Sequence, residues 1–426
     1  MYSKLKGKKI LIVGSTLEEN VVKAAHEMGL YVAVADNVTD RKIARAKLVA
    51  DEAWDVDYND LELMLKLCKE KEIDGVFAGY GEFRVLAACR IAAALNKPFY
   101  CTEDQVLMTA NKRAFRNECE KHGISIPIDY CSGKNMTEKE KAAVQYPVIV
   151  KPSDRSGRIG ISICRDRKQL DEAIAFALEK SVEGTYVVEE YLEGVEFAAN
   201  YTVANGVGSL SSLLEKYITK DQRKDNFLCD CSLSPAYFID EFEQEMDHKI
   251  KAFFNGIKLD NGMASFQGLY TKKGFYLFEM SLRLNGNNDW KFIEKTNGIN
   301  YAKMLMAYSI TGNMTDDLSK DDPHFDKYFC TLPIYAHEGT ITKLDLSEIL
   351  KQEWADLSTL NVGVGTHILE DGTSRQKIVA ILIEAEDFSQ LKERIAFVQN
   401  NLIVENEAGE NMLFRHFDVG QLVAKE

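Results

Sequence analysis

The chain has 426 residues, with 66 acidic and 52 basic side chains and a formal net charge of −14. That sign disfavours a nucleic-acid or anionic-membrane partner, so any phosphate binding must come from local basic residues. A hydrophobic content of 46% with 28% charged residues is ordinary for a soluble globular protein, and the length suits two to four domains.

The opening segment, MYSKLKGKKILIVGS, sets charges before a short apolar run, too short for a secretory leader or a membrane span. The first hundred residues then alternate strand and helix. Strands are expected at 8–14, 31–36 and 75–80, with helices at 17–29, 60–72 and 83–96. Such a series predicts a Rossmann-like α/β domain with an open parallel sheet over residues 1–105.

A helical stretch with breaks follows from Thr102 to His122. Strands at 146–152 and near GISICRD, a helix at 171–180 and a strand at 185–192 read as a small α+β lid, about 125–188. Strand-like segments continue to a hairpin, and a helix over 299–311 closes the second domain, 106–316. Past the acidic, Pro-bearing linker near Asp317, the texture becomes β-rich, which predicts a third, α+β domain over 325–426 with one helix near 388–399. Nine scattered cysteines without a CxxC pair read as reduced thiols of a cytoplasmic protein.

Gln267 to Arg283, QGLYTKKGFYLFEMSLR, is the hairpin. Its turn is Thr-Lys-Lys-Gly, with Gly274 where a positive φ is needed. Residues two apart on a strand share a face, so Glu279, Ser281 and Arg283 are expected to point one way, joined by Gln267 across the pair. Carboxylate, amide and hydroxyl oxygens suit Mg²⁺, and an adjacent Arg suits phosphate or carboxylate.

Other positions are weaker taken singly. Gly14 closes strand one without the GxGxxG of a dinucleotide site and reads as a packing turn. Glu82 ends the third strand, where open sheets place ligands. Lys151 ends an apolar strand and faces a cleft. The loop after it, Ser153–Gly160, offers Ser156, Gly157 and Gly160 for backbone contact with phosphate, although it is not a Walker loop. In EEYLEGVE, Glu189 and the backbone beyond it could read an adenine edge, and a second carboxylate could accept ribose hydroxyls. Lys112 lies on a helix. The histidines show no HxxxH pattern, and GxSxG is absent.

Taken in order, Lys112, Lys151 with its glycine loop, the EEYLEG hinge, Gln267 and EMSLR resemble the ATP-grasp superfamily. The carbamoyl-phosphate-synthase-like and carboxylate–amine (L-amino-acid) ligase branches are the most similar. The resemblance covers about residues 1–315 and implies an ATP-grasp fold of lid plus catalytic β-sheet. It implies that Lys112, Lys151 and the Ser153–Gly160 loop hold ATP phosphates. Glu189, Glu190, Tyr191 and Leu192 would hold adenine, and Glu196 the ribose. Gln267, Glu279 and Ser281 would bind Mg²⁺ (or Mn²⁺), while Arg283 and Lys151 would act in catalysis. Substrate contacts are expected from Glu82, Lys220, Arg223 and Asn285. The family usually reads Glu-x-Asn-x-Arg, so Ser281 departs from it, and Arg158 stands where small residues are common.

The implied activity is an ADP-forming ligation of a small-molecule carboxylate to an amine through an acyl phosphate. A bicarbonate-activating enzyme and a degenerate ATP-binding regulatory module are the alternatives. A homodimer is a further implication.

Overall fold

The computed structural model describes residues 2–154, 159–221, 226–314, 317–370 and 372–423. The first domain has four parallel strands: β1 (Lys9–Val13), β2 (Tyr31–Asp36), β3 (Glu52–Asp55) and β4 (Gly75–Phe77), in the order β3-β2-β1-β4. The apolar runs of β1 and β4 are buried on both faces, as expected for a strand covered by helices on either side. The sequence reading missed β3, whose four residues are too few to show a period.

Gly14 follows β1 with φ +108°. The space beside it is filled by the protein itself. Glu18 is fully buried there, and Arg84 reaches both Glu18 and Asp36 at 3.2 Å.

The lid sheet contains β5 (Asp129–Gly133), β6 (Val148–Pro152), β7 (Ser162–Cys164) and β8 (Tyr186–Glu190), ordered β5-β8-β6-β7 and backed by the helix Arg167–Lys180. Ahead of it, the helical stretch from Thr102 divides into Glu103–Ala110 and Lys112–Lys121. Asn111 makes the break by accepting from the amides of Arg113 and Ala114 at 3.0 and 3.1 Å, as an N-cap does.

The large sheet begins with β9 (Val195–Ala204), β10 (Val207–Asp221) and β11 (Asn226–Ser234) and continues in β12 (Gly262–Thr271) and β13 (Gly274–Ser281). The segment between β11 and β12 is not the strand-like stretch expected. It holds helical turns from Ile239 to Gly256, whose Phe242, Phe253 and Phe254 bury against the sheet. Helices Trp290–Asn297 and Tyr301–Thr311 follow β13.

Beyond the linker come β14 (Tyr328–Tyr335), β15 (Gly339–Thr340), β16 (Lys343–Asp345), β17 (Ala355–Leu360), β18 (His367–Ile368), β19 (Lys377–Ala385) and β20 (Ile403–Glu405), with the helix Phe388–Asn401. One eight-stranded sheet runs β13-β12-β9-β10-β11-β14-β19-β17. The third part therefore extends the second part's sheet, although it packs its own hydrophobic cluster around Ile381, Ile383 and Leu391. Among the described residues no helix is long and apolar enough to cross a membrane.

Candidate nucleotide and ligation site

A cleft of about 1190 Å³ lies between the lid and the large sheet, closed at one end by the first domain. Its walls include Lys112, Lys151, Glu189 to Glu196, Gln267, Glu279, Arg283 and Glu82, so residues from five separate stretches of sequence converge on one space.

Lys112 starts its helix at the Asn111 cap, and Lys151 projects from β6. Between them stands Glu189 of β8, 3% exposed in its side chain. One carboxylate oxygen lies 2.5 Å from the Lys151 ammonium, and the other accepts from Arg116, one turn along the helix from Lys112. Burial raises the Glu189 carboxyl, but Lys151, Arg116 and Lys112 outweigh it and hold the group at about 2. Lys112 moves the other way. Burial and then the Lys151 charge bring its ammonium down to about 8, against the opposing pull of Glu189 and Glu279.

Glu189 thus meets a cation at each of its two oxygens, Lys151 at one and Arg116 at the other. The amide of Tyr191, expected to face adenine, donates to the carbonyl of Pro147 at 3.1 Å. Glu190 accepts from the amide of Ile128 at 3.4 Å at the mouth of the hinge. Leu192 does line the cleft, and Ile149, Ile161, Leu269 and Phe278 give it apolar walls. The sequence reading missed these four; Ile149, Leu269 and Phe278 sit on strands, where single apolar residues look like core until the sheet is assembled.

The hairpin forms as expected, with Gly274 at φ +108°. Gln267 pairs with Glu279, but a register shift follows, so Gly268 pairs with Leu277 and Phe278 is the extra residue. Such a bulge re-aims the side chains beside it. Glu279 is exposed to the cleft, whereas Ser281, paired with Ser265, is 5% exposed and is not one of the lining residues. The expected common face therefore holds for Glu279 and Arg283 but leaves Ser281 inside.

Lys216 of β10, not singled out from the sequence, donates to the side-chain oxygens of Gln267 at 2.8 Å and Glu196 at 3.1 Å. The Gln267 and Glu279 oxygens and the two lysines fit an ion–phosphate group chemically. The donors are hard oxygens, and a cation already rests on the Gln267 and Glu196 oxygens.

Arg283 donates from Nε to Glu82 at 2.7 Å and from Nη1 to the carbonyl of Leu284 at 3.0 Å. The ion pair joins the end of the hairpin to the first turn of the helix Glu82–Ala94, which follows β4. Asn285, expected to touch substrate, turns inward. Its amide donates to Asp289 and to Asn200, and its oxygen accepts from the amides of Asn287 and Asp289. Asp289 is fully buried, which raises its carboxyl to about 6 in spite of the Asn200 and Asn285 hydrogen bonds.

Gly160 turns at φ +74° against Pro152. Ser156, Gly157 and Arg158, along with Arg223, lie outside the described residues. Of Lys220 the backbone alone is described, paired with Phe227 at the far end of β10.

The description "D-ala D-ala ligase C-terminus" belongs to the family model that matches residues 128–220. The D-alanine–D-alanine ligase of Sulfurimonas denitrificans is 29% identical over 158 residues, 36% of this chain and 43% of that protein. The phosphoribosylamine–glycine ligase of Clostridium acetobutylicum is 32% identical over 155 residues, 33% of this chain and 36% of that protein. The chain thus spans less than half the length of either relative. The crystal structure of an L-amino acid ligase from Bacillus licheniformis superposes with a TM-score of 0.78 at 16% identity, covering 94% of this chain and 99% of that one. The resemblance read from the motifs is borne out, and the fold is that of the ATP-grasp proteins.

Proposed function

We propose that this chain is an ATP-dependent ligase that joins a carboxylate to an amine and releases ADP and phosphate. The observation that carries the reading is the convergence of Lys112, Lys151, Gln267, Glu279 and Arg283 on one cleft. The ligase names of the two relatives support it.

Lys112 and Lys151 would hold the triphosphate, with the Lys151 ammonium fixed by Glu189. The apolar walls Ile149, Leu192, Leu269 and Phe278 would sandwich the base. Gln267 and Glu279 would hold Mg²⁺ or Mn²⁺, and the ion would supply neutralisation of phosphate charge.

A substrate carboxylate oxygen attacks the γ-phosphorus, and the bond to the bridging oxygen breaks to leave ADP. The amine nitrogen then attacks the acyl carbon, phosphate leaves, and the nitrogen gives up a proton. Arg283, at the substrate end, would stabilise charge on the transferred phosphoryl group. The lid would exclude water from the acyl phosphate. A cytoplasmic setting with reduced thiols belongs to the same reading.

The test is ADP release with Mg·ATP and a panel of carboxylate–amine pairs. Stimulation by a pair and by neither member alone is expected. Release with bicarbonate alone would move the chain to the bicarbonate-activating enzymes. Nucleotide binding with no turnover on any pair would make it a regulatory module.

A further inference from the structure

Phe83 is 82% exposed, the most exposed large apolar side chain among the described residues. It lies on the first turn of the helix Glu82–Ala94, beside Glu82, and lines the cleft at the end where Glu82 meets Arg283. The same helix buries Val85, Ala88, Ile91 and Ala92 against the sheet, so its core face is already satisfied. Lone exposed hydrophobes are common and need no explanation on their own. Here the ring stands at the edge of the cleft, on the same helical turn as one half of an ion pair whose atoms lie 2.7 Å apart.

The cleft exceeds the 300–1000 Å³ of an ordinary single-ligand pocket, which leaves room for a second ligand beyond the nucleotide. A zwitterionic α-amino acid can exchange with both halves of the pair, its carboxylate on Arg283 and its ammonium on Glu82. Its side chain then leaves the polar pair, and Phe83, adjacent to Glu82 on the same helical turn, offers it an apolar surface.

We infer that Phe83 is a specificity-determining residue that selects an amino-acid substrate with an apolar side chain. The inference rests on the ligase reading for its biological meaning but is tested by binding alone. Protein loaded with magnesium and a non-hydrolysable ATP analogue is titrated calorimetrically with L-leucine and with L-glutamine, which are similar in size.

Leucine is expected to bind about 10-fold tighter than glutamine, within the range for an apolar pocket. Phe83→Ala is expected to abolish that ratio without moving the melting temperature, because the ring is exposed. Failure of leucine to bind, equal affinity for the two probes, or an unchanged ratio in Phe83→Ala overturns the inference. So does sedimentation showing that Phe83→Ala dissociates a dimer, since the ring would then be a subunit contact. Phe83-dependent leucine binding with no ADP release from any pair sustains this inference and removes the ligase reading instead.

Discussion

At Glu189 one buried carboxylate meets two cations, and the balance there governs several neighbours. Removing one partner of a buried pair leaves uncompensated charge, at a cost of about 3–5 kcal/mol. Glu189→Ala is therefore expected to lower the urea midpoint by an equivalent amount, with Arg116 and Lys151 left facing each other. The depressed carboxyl adds stability that is present above its ordinary value near 4.5 and is lost as pH falls through about 2. Lys112 makes a separate prediction. Its charge disappears as pH rises through about 8, so nucleotide affinity should fall above that pH, with a slope of at most one proton. Lys112→Met should bind nucleotide weakly with that step missing; an unchanged step would assign it to another group. Arg283→Met is expected to lower the ligation rate about 10²- to 10³-fold, the usual cost of losing one donor to developing charge. Rapid-quench ADP formation measures it.

The hairpin and the hinge act as a unit at the next scale. β12 lies between β9 and β13, so the hinge residues that begin β9 are seated directly on the hairpin. Gly194 marks the close approach: a Cβ there would collide with the backbone carbonyl of Tyr270. Gly194→Ala should therefore push the hinge off β12 and destabilise the protein by about 1–3 kcal/mol, as overpacking does. Thermal unfolding with and without Mg·ATP checks both effects, since a displaced hinge also weakens the ligand-induced gain. The bulge at Phe278 is a second element-scale feature. It turns Phe278 toward the cleft, and Ser281 is seated inside, so the Ser in place of Asn falls at a position away from the cleft wall.

Across the whole molecule, the third part is tied to the site by strands and by loops. β14 pairs with β11, and the carbonyl of Ser358 in β17 accepts from Asn20 of the first domain and Asn288 of the second. Lys291 meets Asp356 at 2.5 Å. Deleting residues 325–426 should therefore expose the β11 edge and its Cys231 and Leu233, and give an aggregating product with no cooperative melt. A soluble truncation with intact nucleotide affinity would show the opposite. Much of this protein is legible in its amino acids. The βαβ periodicity of the first domain, the Gly274 turn and the order of Lys112, Lys151, Gln267 and Arg283 are local patterns set by strand alternation, turn chemistry and residue type. Helix 290–297 and strands β3 and β17 escaped, being short or weakly periodic. Lys216 escaped because nothing near it in sequence says that β10 lies beside Glu196, with Gln267 one strand beyond. The fate of Glu189, the inward turn of Asn285 and the burial of Ser281 were decided only by the tertiary structure. Each depends on which cation, amide or strand residue from a distant stretch arrives beside it, and a carboxylate's partners are a matter of three-dimensional proximity rather than of spacing along the chain.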